Sequence, residues 1–220
     1  IPGLIDAHIH LCLDPEEPDP FAHGKVPEAL QLKAMALRAK KMVEAGITAA
    51  RDLGGGQWLE LKIRDAILAG EIPGPRLICA GQPITSPGGH CHFWGGEAED
   101  TAAAMAVIAR QAEAGVDLIK VMATGGNITP GSKPMDAQFD GAVMQSIVSE
   151  ANRLGYSVAA HCHGTDGIRH AHMRASRPSS IAHGLGPMVG VSTLTLIWPR
   201  TSLGRVFGSL RRSTLVGVAI

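Results

Sequence analysis

An α/β fold built around a parallel sheet is predicted by three features of this chain. Strand-like and helix-like segments alternate over the first 165 residues. A helix ending on Ala-Gly or Leu-Gly and running straight into an apolar strand occurs three times, at Ala45-Gly46-Ile47, Ala114-Gly115-Val116 and Leu154-Gly155-Tyr156. Finally, residues that carry chemistry fall at strand ends: His8 and His10 on strand one, Lys120 late in strand four, His161 on strand five. Repeated βα units imply a parallel sheet, either open or closed into a barrel. Ligands gather at the C-terminal ends of the strands in both. Candidates spread over strands one, four and five favour a closed ring over the single crevice of an open sheet.

Taken in order, Gly3–Ile9 is short, apolar and strand-like. Residues Pro27–Ala45 have helical spacing, with Ala29, Leu32, Met35, Ala36, Ala39, Met42 and Val43 covering one face and Gly46 as the stop. Ile47–Asp52 reads as strand two, Trp58–Leu68 as helix two and Pro75–Ala80 as strand three. A Gly- and His-rich loop runs from Gly81 to about Gly96. Thr101–Ala114 is helical, Asp117–Met122 is strand four, and a Gly/Pro-rich loop spans Thr124 to Pro134. Helix Gly141–Leu154 precedes strand five, Ser157–His161. Beyond it the βα pattern dissolves, and no clear helix is legible before the next strand-like stretch, Ser180-Ile-Ala-His-Gly184.

Composition excludes several classes. With 220 residues, 45% of them hydrophobic, the chain can bury one sizeable core. Its formal net charge is zero, so nothing argues for nucleic acid or an anionic membrane. Cys12, Cys79, Cys91 and Cys162 form no Cys-x-x-Cys pair and no disulfide framework. They are expected to be reduced, buried thiols of a cytoplasmic protein. No apolar run reaches the roughly 18–20 residues of a membrane span, and no signal peptide is visible. The chain opens on Ile1 rather than Met, from which an upstream segment is expected.

The last 54 residues stand apart: they contain no Asp, Glu, Lys, Asn or Gln, yet seven Arg. Two domains are therefore expected: a partial barrel over residues 1–170 and an aberrant tail over 171–220. The tail reads either as translation out of frame or as a genuine basic extension.

His8 and His10, two apart on a strand, share a face with backbones about 7 Å apart, which lets both imidazoles reach one metal ion. Asp6 falls on the same face and could orient a ligand. Lys120 sits inside an apolar strand, where a charged amine is costly. Burial makes such an amine neutral and able to add carbon dioxide, giving an anionic carbamate that can bridge two cations. Alternatively, its stem snorkels to the strand end and pairs with a carboxylate. His161 and His163 repeat the His-x-His device on strand five, and His183 is a further strand-end candidate. His90 and His92 lie in the long loop, either as substrate contacts or as ordinary polar loop residues. Arg51 could bind a substrate carboxylate or form an internal ion pair with Asp52. The Gly-rich Thr124–Gly131 stretch lacks the Gly-Lys-[Ser/Thr] of a phosphate loop, and no Gly-x-Ser-x-Gly nucleophile elbow is present.

Together these segments resemble the amidohydrolase superfamily, in particular its imidazolonepropionase-like and prolidase-like branch. The resemblance rests on Pro2-Gly-Leu-Ile-Asp-Ala-His-Ile-His-Leu11, Gly46-Ile-Thr-Ala-Ala-Arg-Asp-Leu-Gly54, Gly89-His-Cys-His-Phe-Trp-Gly-Gly96, Ile119-Lys-Val-Met-Ala-Thr-Gly-Gly126 and Ala160-His-Cys-His-Gly164, and runs from residue 1 to about 170. It implies a (β/α)8 TIM-type barrel, of which about six βα units are present, with one or two divalent metals, usually zinc. On that resemblance His8 and His10 hold one metal, a carboxylated Lys120 bridges both, and His161 with His183 holds the second. Ala182 stands where the family usually has Glu. The family's strand-eight Asp, which shuttles a proton, has no counterpart, because no Asp follows Asp166.

The resemblance further implies hydrolysis of a C–N bond by metal-activated water, with Lys120 and His161 in the catalytic set and Arg51, His90, His92 and His163 contacting substrate. The implied substrate is a small molecule, a dipeptide of Xaa-Pro or Xaa-Arg type or an N-acyl amino acid; a cyclic amide is the alternative. An incomplete barrel exposes strand edges, so the chain is also expected to be either an inactive fragment or a homo-oligomer.

Overall fold

The computed structural model describes residues 3–173 and 194–197. Five βα units follow one another: β1 (Leu4–Ile9), α1 (Glu28–Glu44), β2 (Ile47–Asp52), α2 (Leu59–Leu68), β3 (Arg76–Cys79), α3 (Thr101–Ala114), β4 (Leu118–Met122), α4 (Gly141–Leu154), β5 (Ser157–Cys162) and α5 (Thr165–Met173). Helix α5 corrects the expectation that no helix follows strand five. Gly167 and two histidines within nine residues give it weak propensity, and the burial of Ala171 with Ile168 packed on the core supplies what propensity does not.

Strands β1, β2 and β3 pair in parallel, as do β4 and β5. The two sheets meet at Ile84, which bridges Val121 in parallel register. Ile84 donates to the Lys120 carbonyl and accepts from the Met122 amide, both at 2.8 Å. The five strands thus follow in sequence order around an arc; among the described residues it does not close. β6 (Leu194–Ile197) pairs antiparallel to β5, with Thr195 opposite His161, which departs from the parallel sixth strand of a βα barrel. The expected strand at 180–184 lies outside the described residues.

Side-chain alternation sorts the strands into two faces. The outer face packs Ala50, Leu77, Cys79, Ile119, Val121, Val158, Ala160 and Cys162 against Met35 and Ala39 of α1, Ile63 of α2, Ile108 of α3 and Ile147 of α4. A smaller cluster, Leu53, Ala80, Leu118 and Ala159, lines the inner face. Helix termini are set locally. The side chains of Asp100 and Asp140 accept the first free amides of α3 and α4. Gly115 and Gly155 close the same helices at φ of 79° and 91°, the left-handed cap predicted for the Ala-Gly and Leu-Gly junctions. Trp58 departs from its predicted place as the first residue of helix two. It caps α2 at φ 52°, its indole Nε1–H donating to Gln111 Oε1 at 2.7 Å.

Candidate metal centre

Strand register decides which side chains meet. β1 ends at Ile9, opposite Asp52, so His10 lies just past the strand end, with His8 one step below on the same inner face. Lys120 is level with Ala159, two residues below His161, which faces Met122. Two residues of strand are about 6.6 Å. The four-carbon stem of Lys120 makes up that distance, and small Ala159 leaves room beside it.

The Nε2 atoms of His8 and His10 are 3.2 Å apart. Two nitrogens held at 2.0–2.1 Å from one ion at a near-tetrahedral angle are about 3.3 Å apart, so the pair stands at chelating distance. His10 Nδ1 lies 2.8 Å from the Gly54 carbonyl. A carbonyl only accepts, so Nδ1 carries the hydrogen and Nε2 presents its lone pair toward His8. Trp94 covers the outer side of His10, ring centroids 5.1 Å apart. Asp6 accepts the His8 backbone amide at 3.0 Å, fixing the strand rather than the imidazole.

Lys120 is 1% exposed and its Nζ has no hydrogen-bond partner. The carboxylate partner of the snorkelling alternative is not there: among the described residues no Asp or Glu pairs with it. Burial first, then the charge of Arg51, brings the amine down to about 7. Lys120 in turn pushes down His8, His10, His90 and His161, each already lowered mainly by burial; His10 and His90 fall to about 4. All four imidazoles are therefore neutral at physiological pH, the form that binds metal.

His161 is 7% exposed and its Nε2 lies 3.0 Å from the Gly125 carbonyl. That nitrogen is the donor, which leaves Nδ1 as the lone pair. His90 stacks on His161 at 4.6 Å and contacts Thr129 Oγ1 through Nδ1 at 3.0 Å. The loop histidine is thus brought to the strand-end cluster, which its position in sequence left open. His163 stands 4.7 Å from the ring of His161 and is half-buried, just past the end of β5. His92 instead packs its ring against Phe21 and Phe93, at 6.1 and 5.8 Å.

The expected Arg51–Asp52 ion pair is not formed, because neighbours on a strand point to opposite faces. Arg51 turns inward and donates from Nε to the Ala7 carbonyl at 2.7 Å, leaving buried Nη2 without a partner. Asp52 turns outward and accepts the amides of Leu11 and Gly54. His183 lies outside the described residues. Among those described, no three His, Cys, Asp or Glu side chains gather at metal-ligand spacing. The donors come as His8 with His10, and His161, around a lysine that becomes an oxygen donor only as a carbamate. A pair at chelating distance, a fixed lone pair and an orphaned buried amine fit a divalent ion. Sequence reading missed the Gly54 and Gly125 carbonyls and the Trp94 stack; only Trp94, in the loop motif, had a side chain to signal it.

Comparison with known proteins decides the family. The amidohydrolase family model matches residues 1–186. The chain belongs to the amidohydrolase family. It is 27% identical to ochratoxinase from Aspergillus niger over 194 residues, covering 76% of this chain and 40% of that protein. The crystal structure of A. niger ochratoxinase superposes with a TM-score of 0.68 at 28% identity, over 77% of this chain and 44% of that one. A Xaa-Pro dipeptidase with methionine bound in its active site gives 0.69 at 26% identity, over 79% and 46%. A prolidase complexed with N-methylphosphonate-L-proline gives 0.68 at 25%, over 78% and 45%. The chain therefore spans less than half the length of these relatives. These neighbours bear out an α/β architecture of the TIM-barrel kind.

Proposed function

We propose that this chain carries the metal-binding half of a hydrolase that cleaves a C–N bond, in a dipeptide or an N-acyl amino acid. The observation that carries the reading is the 3.2 Å approach of His8 and His10 Nε2 beside the buried, unpartnered Nζ of Lys120. His8 and His10 would hold one divalent ion, zinc in the first instance. His161, through Nδ1, would hold a second, with His183 as its companion. Lys120, neutral in its apolar setting, would attack carbon dioxide through Nζ, lose a proton to solvent and become a carbamate, an anionic oxygen donor to the metal site. Arg51, whose charge already disfavours a cationic Lys120, would stabilise the anion so formed. When bound, a divalent ion lowers the pKa of water toward about 7 and polarises a carbonyl.

The chain's own residues then orient the substrate. His90 and His163 flank the ring of His161, at 4.6 and 4.7 Å, and would contact the scissile amide. Arg51 offers Nη2 to a carboxylate, in keeping with the amino-acid ligands of the two peptidase relatives. His92 packs instead with Phe21 and Phe93. A second reading is that the chain binds metal without turnover.

Zinc analysis of the purified chain, with an assay against Xaa-Pro, Xaa-Arg and N-acyl amino acid panels, separates these outcomes. Stoichiometric zinc with turnover supports the enzyme. Zinc without turnover supports the second reading, and metal-free, inactive protein overturns both.

A further inference from the structure

We propose that Asp52 is the positioning residue for His10, setting its imidazole through two backbone arms; the metal consequence rests on the ligand role given to His10 above. Asp52 ends β2 on the outer face and is 1% exposed. Neighbouring Arg51 points away from it, and among the described residues no cationic side chain pairs with it. Its two oxygens are instead spent on backbone. Oδ2 accepts the Leu11 amide and Oδ1 the Gly54 amide, each at 2.9 Å.

Both amides lead to His10. Leu11 follows it in the chain, so the first bond fixes where the strand leaves the ring. Gly54 supplies the carbonyl that takes the Nδ1–H of His10 at 2.8 Å and lies 3.7 Å from Cys12 Sγ. Gly54 sits at φ +110°, and a Cβ there would lie 2.1 Å from the Gly81 carbonyl oxygen, so no other residue fits this turn. The Leu53 amide donates to the Ile9 carbonyl at 2.9 Å and locks the two strand ends in register. One side chain therefore closes the loop from β2 back to the ring.

The chemistry of the group favours this use over core filling. Burying a carboxylate costs free energy that a leucine would not. Here the cost is raised by the carboxyl of Glu60, which pushes Asp52 further up after burial itself. What a carboxylate uniquely provides is two hydrogen-free acceptors on one planar group. Asparagine has the shape but only one acceptor, and would turn its NH2 against one of the two amides.

The test compares the full chain with Asp52→Asn and Asp52→Glu. In metal-free protein with 15N-labelled histidine, the wild type is expected to hold His10 as the Nδ1–H tautomer, and D52N to show a mixture. Zinc competition against a chromophoric chelator is expected to read 10–100-fold weaker binding for D52N, the usual loss on removing a group that orients a ligand. The Co(II) d–d bands should shift with it. D52E keeps the buried charge but displaces the acceptors by about 1.5 Å, and is expected to weaken zinc as well, deciding the matter if D52N does not fold. Wild-type tautomer and zinc affinity in both variants, with only a lower melting temperature, would overturn the proposal. Failure of the wild type to bind zinc refutes the metal reading alone, because the metal-free tautomer still decides whether Asp52 sets the ring.

Discussion

The His-x-His pair of β1 and that of β5 have the same spacing but different nitrogens to offer. His8 and His10 bring two Nε2 atoms to 3.2 Å, because the Gly54 carbonyl occupies Nδ1 of His10. On β5 the Gly125 carbonyl occupies Nε2 of His161, leaving Nδ1. His163 lies past the last strand residue, held by its backbone amide to Thr124 Oγ1 rather than by its ring. A backbone carbonyl at the next strand end thus decides which nitrogen a histidine can give, and whether a pair acts as a chelate or as one ligand with a neighbour. Lys120 stands between these two arrangements electrostatically, lowering His8 and His10 on one side and His161 on the other.

The largest effect should come from breaking the chelate. A structural zinc site with four ligands is worth about 10–16 kcal/mol, so each ligand carries roughly two to three decades of affinity. His10→Ala is expected to weaken zinc about that much, whereas His163→Ala should leave zinc affinity close to wild type and raise KM. Chelator competition on both variants checks the contrast. Equal losses would mean that the two pairs are equivalent.

Lys120→Met comes next. Methionine fills the same apolar volume without a charge, so the metal-free variant is expected to melt higher than wild type, by the order of 1–3 kcal/mol for an unpartnered polar group. Zinc binding should fall, and bicarbonate, expected to restore wild-type protein prepared in carbon-dioxide-free buffer, should do nothing for the variant. The pH sign follows from the lowered amine. Folded Lys120 titrates near 7 against 10.5 unfolded, so the unfolded state holds more protons between those values. Metal-free stability therefore rises as pH goes from about 7 toward 10, and K120M flattens that rise. Thermal melts across pH 6–10 measure it. His10 and His90, at about 4, carry the same sign between 4 and 6.5, so stability is lost as pH falls through that window.

Much of this was legible in the residues themselves. Period-two patterning and the Ala-Gly and Leu-Gly stops located strands one, two, four and five and helices three and four, because side-chain alternation and a left-handed cap are local properties. Helix α5 was not legible, since its stability comes from Ala171 and Ile168 packing on the rest of the core. For the candidate site, the side-chain donors were readable and their tautomers were not, because Gly54 and Gly125 act through carbonyls that every residue possesses. The Arg51–Asp52 pairing misled for a geometric reason: adjacent strand residues face opposite ways, one toward Lys120 and the other toward Glu60.

The smallest effect sharpens the β5 side. Gly126 faces the ring of His90, and a Cβ there would lie 2.3–2.7 Å from three ring atoms. Gly126→Ala must therefore displace the ring of His90, which stacks on His161 at 4.6 Å. His161 keeps its bond to Gly125 and its Nδ1 lone pair. Zinc affinity is thus expected to change by less than about tenfold, well below the loss in H10A, while KM rises because a ring proposed to contact substrate has moved. His92→Ala, which disturbs only the contacts with Phe21 and Phe93, serves as the loop control and should leave zinc unchanged. If G126A costs as much zinc as H10A, His90 is a ligand in its own right, and the β5 side holds a chelate after all.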